Sequence, residues 1–189
     1  IEAGIHRYNG GRLVWPTGIA SSVDTQLKPI TYWDPNQYLN IWTVNFGGFI
    51  GRNLLGYAQF PSYSELAGLN ANEGAAETDG VVIGYKYFGS SEKGNFPDLN
   101  TTYHLGRTCT HEIGHWLGLR HIWGDGDCSA DDFCEDTPAS DKANYSCIAH
   151  TSCGTPDMIE NYMDYTDDQC MSRFTQDQKE RMIQVLKNS

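Results

Sequence analysis

The stretch TCTHEIGHWLGLRHIWGD, residues 108–125, places three of the chain's six histidines and a glutamate within eleven positions, 111 to 121. His111 and His115 are four residues apart, so on a helix their imidazoles share one face and can reach a single ion. Glu112 stands beside them, able to approach a water on that ion without ligating it. A third histidine cannot reach back along a continuing helix, so the helix must stop. Gly118 supplies the stop, because glycine adopts the left-handed backbone that ends helices, and His121 then arrives from the outgoing loop. Three neutral imidazoles leave the fourth position of a zinc ion open to water, the arrangement of a catalytic zinc site rather than a structural one. A lone helical histidine is ordinarily packed or solvated. Three at ligand spacing, with a glutamate and a glycine stop, read as one zinc ion with Glu112 as general base.

Outward from this motif the chain divides by pattern. YLNIWTVNF (38–46), LLGYAQF (54–60) and DGVVIGYKYFG (79–89) have the β-branched and aromatic content of buried strands, bounded by glycine or proline. Residues 103–118 carry a helical period, with Leu105, Cys109, Ile113, Trp116 and Leu117 on one apolar face. No helical period is legible before residue 103. Residues 124–173 are irregular, rich in Gly, Pro, Asp and Cys. TQDQKERMIQVLKN (175–188) opens with a Thr175/Gln178 capping box and is expected to turn Met182, Ile183 and Leu186 inward. Strands, a helix, a long irregular segment and a final helix imply a two-layer α+β domain.

With 189 residues the chain suits a single domain, 1–189. A net charge of −11 argues against nucleic acid, and no apolar run reaches the roughly 18 residues of a membrane span. IEAGIHRYNG has neither the basic start nor the apolar core of a signal peptide, so an exported protein is expected to be a processed or trimmed form. Six cysteines, with no CxxC pair, fit disulfides in an oxidising compartment better than a thiolate zinc ribbon, and leave about 15 connectivities open. GDGDCSADDFCEDTP (124–138) holds six carboxylates between 125 and 136, hard donors suited to calcium, with a solvated acidic loop as the alternative. The sequons Asn100-Thr-Thr and Asn144-Tyr-Ser matter only in a glycosylating host.

HEIGHWLGLRH (111–121) resembles the extended zinc motif H-E-x-x-H-x-x-G-x-x-H of the metzincin peptidases, and ENYMDY (160–165) resembles their methionine turn. With YLNIWTVN, GYAQFP, DGVVIGYKYFG, DTPA and NYMDYTDDQCMSRFTQDQ, the chain over roughly residues 30–189 is similar to the pappalysin family. The resemblance implies a twisted, mostly parallel sheet with an antiparallel edge strand, LLGYAQF, lining the cleft and binding extended substrate. It implies an upper subdomain, 1–118, and a lower one, 119–189, stapled by disulfides and calcium. Met163 is then the floor beneath the zinc ligands, and Tyr165 a tyrosine near the metal or the oxyanion. One or two calcium ions are expected after the third histidine, with Asp132, Asp136 and Thr137 as the best ligands. The resemblance further implies the bridges Cys128–Cys153 and Cys147–Cys170. Cys109 and Cys134 either form a third bridge, tying the active-site helix to the calcium loop, or stay free and buried; an even count in an exported chain favours the bridge.

Metzincin domains open with a strand and a long backing helix. None is legible, so the upper subdomain is expected to be incomplete at its N-terminus. The family's pocket prefers a basic residue just after the scissile bond, and Asp167 or Asp168 is expected at its floor. The expected protein is a secreted, monomeric zinc endopeptidase acting on proteins and peptides and cleaving before Arg or Lys. The rivals are a non-catalytic binding module on the same scaffold, which the intact Glu112 disfavours, and a metzincin with another pocket preference.

Overall fold

The computed structural model describes residues 3–17, 22–62, 66–69 and 74–188. The early strands are β1 (Trp15–Pro16), β2 (Ile41–Val44), β3 (Phe46–Gly47), β4 (Gly56–Ala58) and β5 (Val81–Gly84), β1 with β3 in one sheet and the other three in a central one. The order is β2-β5-β4, with β2 parallel and β4 antiparallel to β5. Val81, Val82 and Ile83 are fully buried, because β5 is covered on both faces; this is why its sequence is continuously apolar. β2 alternates instead, with Trp42 and Val44 inward and Ile41 and Thr43 outward. All three expected strands are present, each shorter than its apolar run.

The early chain departs from expectation. β1 runs parallel to β3, which follows β2 after a single residue. Between β1 and β2 lies a helical stretch, a wide turn over Val23–Leu27 continuing into α1 (Lys28–Thr31). A strand and a short backing helix therefore precede residue 103. The stretch escapes a periodicity reading because it presents only Val23 and Leu27 as inward apolar residues before a lysine and a proline. That lysine is part of the core: Lys28 is 1% exposed, pairs with Asp24 at 2.7 Å, donates to the Thr78 carbonyl at 3.1 Å and lies over the Trp42 and Tyr57 rings. Burial pulls its ammonium below the usual lysine range, against the opposing pull of Asp24. Val23, Leu27, Trp42, Val44 and Val82 form the cluster around it.

After a short turn, α2 (Gly48–Gly51), the chain enters β4. Helix α3 (Arg107–Trp116) packs across β4 and β5. It buries Thr108, His111, Glu112, Gly114 and His115, whereas Leu105, Cys109, Ile113 and Trp116 are only half-buried. The histidine face, not the apolar stripe, is the one turned inward. A hairpin, β6 (Thr151–Ser152) and β7 (Thr155–Pro156), punctuates the irregular segment.

The last helix, α4 (Gln176–Asn188), begins at the predicted box: Gln178 N–H donates to Thr175 Oγ1 at 3.2 Å, and Thr175 N–H to Gln178 Oε1 at 3.0 Å. Its inward face is Gln178, Arg181 and Val185, with Met182 partly buried; Ile183 and Leu186 are 38% and 56% exposed. The expected face was wrong because two polar side chains take the buried positions, each with a specific partner.

Disulfides join Cys128 to Cys153 and Cys147 to Cys170. Each closes a loop worth about 3 kcal/mol in the chain-entropy account. The favoured third bridge is absent: Cys109 and Cys134 are free thiols. Cys109 rides on α3 beside Glu112, whereas Cys134 lies among Asp132 and Arg181 of α4, so the two face different neighbours.

Candidate active site

Each of the three histidines is oriented through its Nδ1. That atom lies 2.6 Å from the Tyr162 carbonyl in His111 and 2.8 Å from the Leu119 carbonyl in His115; in His121 it contacts the Asp125 carboxylate. Carbonyls and carboxylates only accept, so Nδ1 donates and Nε2 keeps its lone pair. The three Nε2 atoms converge, His115 lying 3.0 Å from His111 and 3.1 Å from His121. A tetrahedral zinc with bonds of about 2.0–2.1 Å separates neighbouring nitrogens by about 3.3 Å, so the triad fits that ion. Burial, then the neighbouring histidines, pulls His111 well below the usual imidazole range; burial first also takes His115 down to about 4. Both are neutral at pH 7, as a ligand must be.

The helix stop builds part of this geometry. Gly118 has φ of 87°, the left-handed region that glycine adopts without strain, and the turn carries the Leu119 carbonyl back to His115. From α4, Arg181 donates to the Gly118 carbonyl and to the Ala67 carbonyl, both at 2.7 Å. The apolar rule could not flag this buried arginine. Met163 is fully buried below, packed with Leu119, Ile122 and Trp123. A Cβ on Gly114 would stand 2.5 Å from the Met163 sulfur, so the methionine touches the helix where a side chain is missing. Gly114 lies inside HEIGHWLGLRH, where helical spacing alone does not mark it.

Glu112 is 6% exposed, and burial pushes its carboxyl up to about 8. Gly56 of β4 lies against its stem. The Tyr165 ring is 4.8 Å from that of His121 and 5.6 Å from that of His111. Burial, then Glu112, pushes its hydroxyl up to about 12, so it stays protonated.

A cavity of about 350 Å³ opens beside Glu112, between β4, α3 and the loop after Met163. Of the two pocket aspartates, Asp168 lines it and Asp167 does not. Asp168 is 1% exposed; its Oδ2 accepts from the Leu105 and Arg107 amides at 2.6 and 3.3 Å, and its Oδ1 is buried with no hydrogen-bond partner among the described residues. Burial raises its carboxyl, while those amides pull it down. Arg107 also borders the cavity, with its guanidinium laid 5.4 Å over the Tyr162 ring.

The three calcium candidates divide. Asp132 is buried and accepts from Thr137 Oγ1 at 2.8 Å and from the Cys134 amide at 3.1 Å. Asp136 instead accepts the Gln176 and Asp177 amides at 2.9 and 3.1 Å, at the open end of α4. Among the described residues one other donor group gathers, Asp141, His150 and Asp157. Asp157 there already accepts from Ser140, Asn144, His150 and twice from Ser152, which is a structural network.

The peptidase family described as pregnancy-associated plasma protein-A matches residues 23–187. An extracellular metalloprotease of Colletotrichum graminicola is 38% identical over 161 residues, 82% of this chain and 50% of that protein. One from Pyricularia oryzae is 34% identical over 170 residues, 88% of this chain and 53% of that protein. Among solved structures, mature mirolysin of Tannerella forsythia in complex with a cleaved peptide is 45% identical with a TM-score of 0.63, covering 80% of this chain and 53% of that one. A promirolysin mutant of the same organism is 43% identical with a TM-score of 0.64, covering 83% and 48%. The chain spans about half the length of the curated relatives it matches.

Proposed function

The chain belongs to the pappalysin family of metallopeptidases, and from that premise we propose that it forms the catalytic unit of a secreted, monomeric zinc endopeptidase that cleaves before arginine or lysine. The main support is the convergence of three imidazole Nε2 atoms beside a buried glutamate, in a cleft bordered by an edge strand. His111, His115 and His121 hold the ion, which when bound supplies a Lewis acid and an acidified water.

Glu112 takes a proton from the attacking water and returns it to the leaving amine. It is buried beside the histidines, so it meets that water with no bulk solvent competing for the proton. The protonated Tyr165 hydroxyl donates to the oxygen on which charge develops. β4 has one edge on β5, and no described strand covers the other, so an extended substrate can add to it as a further strand.

The buried, unpartnered Oδ1 of Asp168 supports the basic preference, because a guanidinium or ammonium entering the cavity supplies the partner that the oxygen lacks. Arg107, whose guanidinium lies over the Tyr162 ring, also favours the charged form of Asp168 but donates no hydrogen bond to that oxygen. Calcium belongs to the same proposal. Asp132 with Thr137, in a run of six carboxylates, supports one or two ions there, and Asp136 joins them only by leaving α4.

The test is to digest a denatured protein mixture with this chain in zinc and calcium and to sequence the new N-termini. Termini beginning with Arg or Lys, abolished by chelator and by Glu112→Ala, are the expected result. Another preference sinks the role of Asp168 and keeps the peptidase. Zinc bound without any cutting sinks the peptidase reading for this chain.

A further inference from the structure

We propose that Tyr145 is a specificity-determining residue, whose ring closes the mouth of the Asp168 pocket and stacks on the cationic side chain entering it. The inference rests on the peptidase reading above and adds a residue that the motifs do not reach.

Tyr145 borders the cavity yet is 66% exposed. An aromatic ring left in water on a loose loop needs no explanation, but this loop is pinned on both sides of the ring. Asn144 is buried; its amide donates to Asp164 Oδ1 at 2.9 Å, and its Nδ2 to Asp164 Oδ2 at 3.0 Å and Asp157 Oδ2 at 3.1 Å. Two residues after Tyr145, Cys147 is bridged to Cys170, which lies two residues beyond Asp168. The backbone is therefore fixed relative to the pocket base, while the ring itself stays uncovered. Such a surface loses little freedom on binding and gains apolar burial when a side chain arrives.

The neighbours of the ring set its role. Its centroid is 6.1 Å from that of Tyr165, and it lines the same cavity as Tyr103 and Asp168. Tyr165, Tyr145 and Tyr103 thus form an arc from the histidines to the pocket acid. Tyr165 contacts the His111 and His121 rings and Tyr145 contacts Tyr165, so Tyr145 is assigned to the side chain being bound rather than to the bond being cut. Aromatic faces attract guanidinium and ammonium groups, more strongly where water is excluded.

Three peptides identical except for arginine, lysine or norleucine after the scissile bond test this, with wild type, Tyr145→Ala and Tyr145→Phe. Equal melting temperatures establish that the variants fold. Expected for Tyr145→Ala is a loss of about 10- to 30-fold in kcat/KM on the arginine peptide, carried by KM, with less than about 3-fold on norleucine. Tyr145→Phe keeps the ring and stays within about 3-fold of wild type on all three. An equal loss on all peptides, or an arginine-to-norleucine ratio unchanged in Tyr145→Ala, overturns the inference while the basic pocket stands. A wild type indifferent to the three residues overturns the pocket reading and this inference together.

Discussion

A valine at position 114 would bring a branched side chain to where a Cβ already stands 2.5 Å from the Met163 sulfur, at a helix position with no slack. Gly114→Val is expected to lower stability by about 2–3 kcal/mol and to reduce bound zinc, read by thermal unfolding and metal content. Asp157 makes a pH-dependent case. Burial raises its carboxyl, but donors from His150, Ser152, Asn144 and Ser140 outweigh that and hold it down at about 2. A carboxyl depressed by folding stabilises above its unfolded pKa near 3.8, and the contribution is lost as pH falls through 2. Asp157→Asn should therefore be destabilised by about 2 kcal/mol at pH 7, a gap that closes toward pH 2 in denaturant titrations. The three histidines and Gly118 were legible because their relation to one another is local, set by helical spacing and a stop. Gly114, Asn144 and Arg181 were not, because each answers to a partner far along the chain.

At the scale of elements, α4 is the instructive case. Reading apolar residues alone put Ile183 and Leu186 inside, whereas the helix buries Gln178 against Asn161 and Arg181 against the end of α3. Arg181→Met keeps the bulk and leaves the Gly118 and Ala67 carbonyls without their donor. It is expected to cost about 2–3 kcal/mol, and to weaken zinc binding as well, since the turn it holds aims Leu119 at His115. Urea unfolding with a zinc titration separates the two effects; unchanged zinc affinity would mean that the turn keeps its shape unaided. The strands were legible from composition, and their bounds were set by pairing. The backing helix was not, because its buried face is two aliphatic side chains and a lysine whose charge is met by Asp24 and two rings.

Across the whole molecule, helix α3 carries His111 and His115 on its buried face, and the segments after it carry His121 and the buried Met163. An ion held by the three histidines would therefore join both parts. Zinc at about 100 times its Kd should add about 2.7 kcal/mol, or about 5–10 °C in melting temperature, and His121→Ala should remove most of that shift; a shift that survives in the variant would locate the ion elsewhere. The two-layer plan, the active-site helix and the disulfide-stapled segment were legible from the order of patterns and the family resemblance. The choice of Asp168 over Asp167, and the tyrosines beside it, arise only when residues 103–107, 145 and 165–168 meet. Asn144 carries a consequence for where such a chain can be made. Its side-chain nitrogen is an acceptor site for an oligosaccharide, and folding seals that nitrogen between two buried carboxylates. A eukaryotic secretory pathway that attaches the sugar during synthesis would lock the loop open and strand Tyr145, whereas a cell without that machinery lets the residue close.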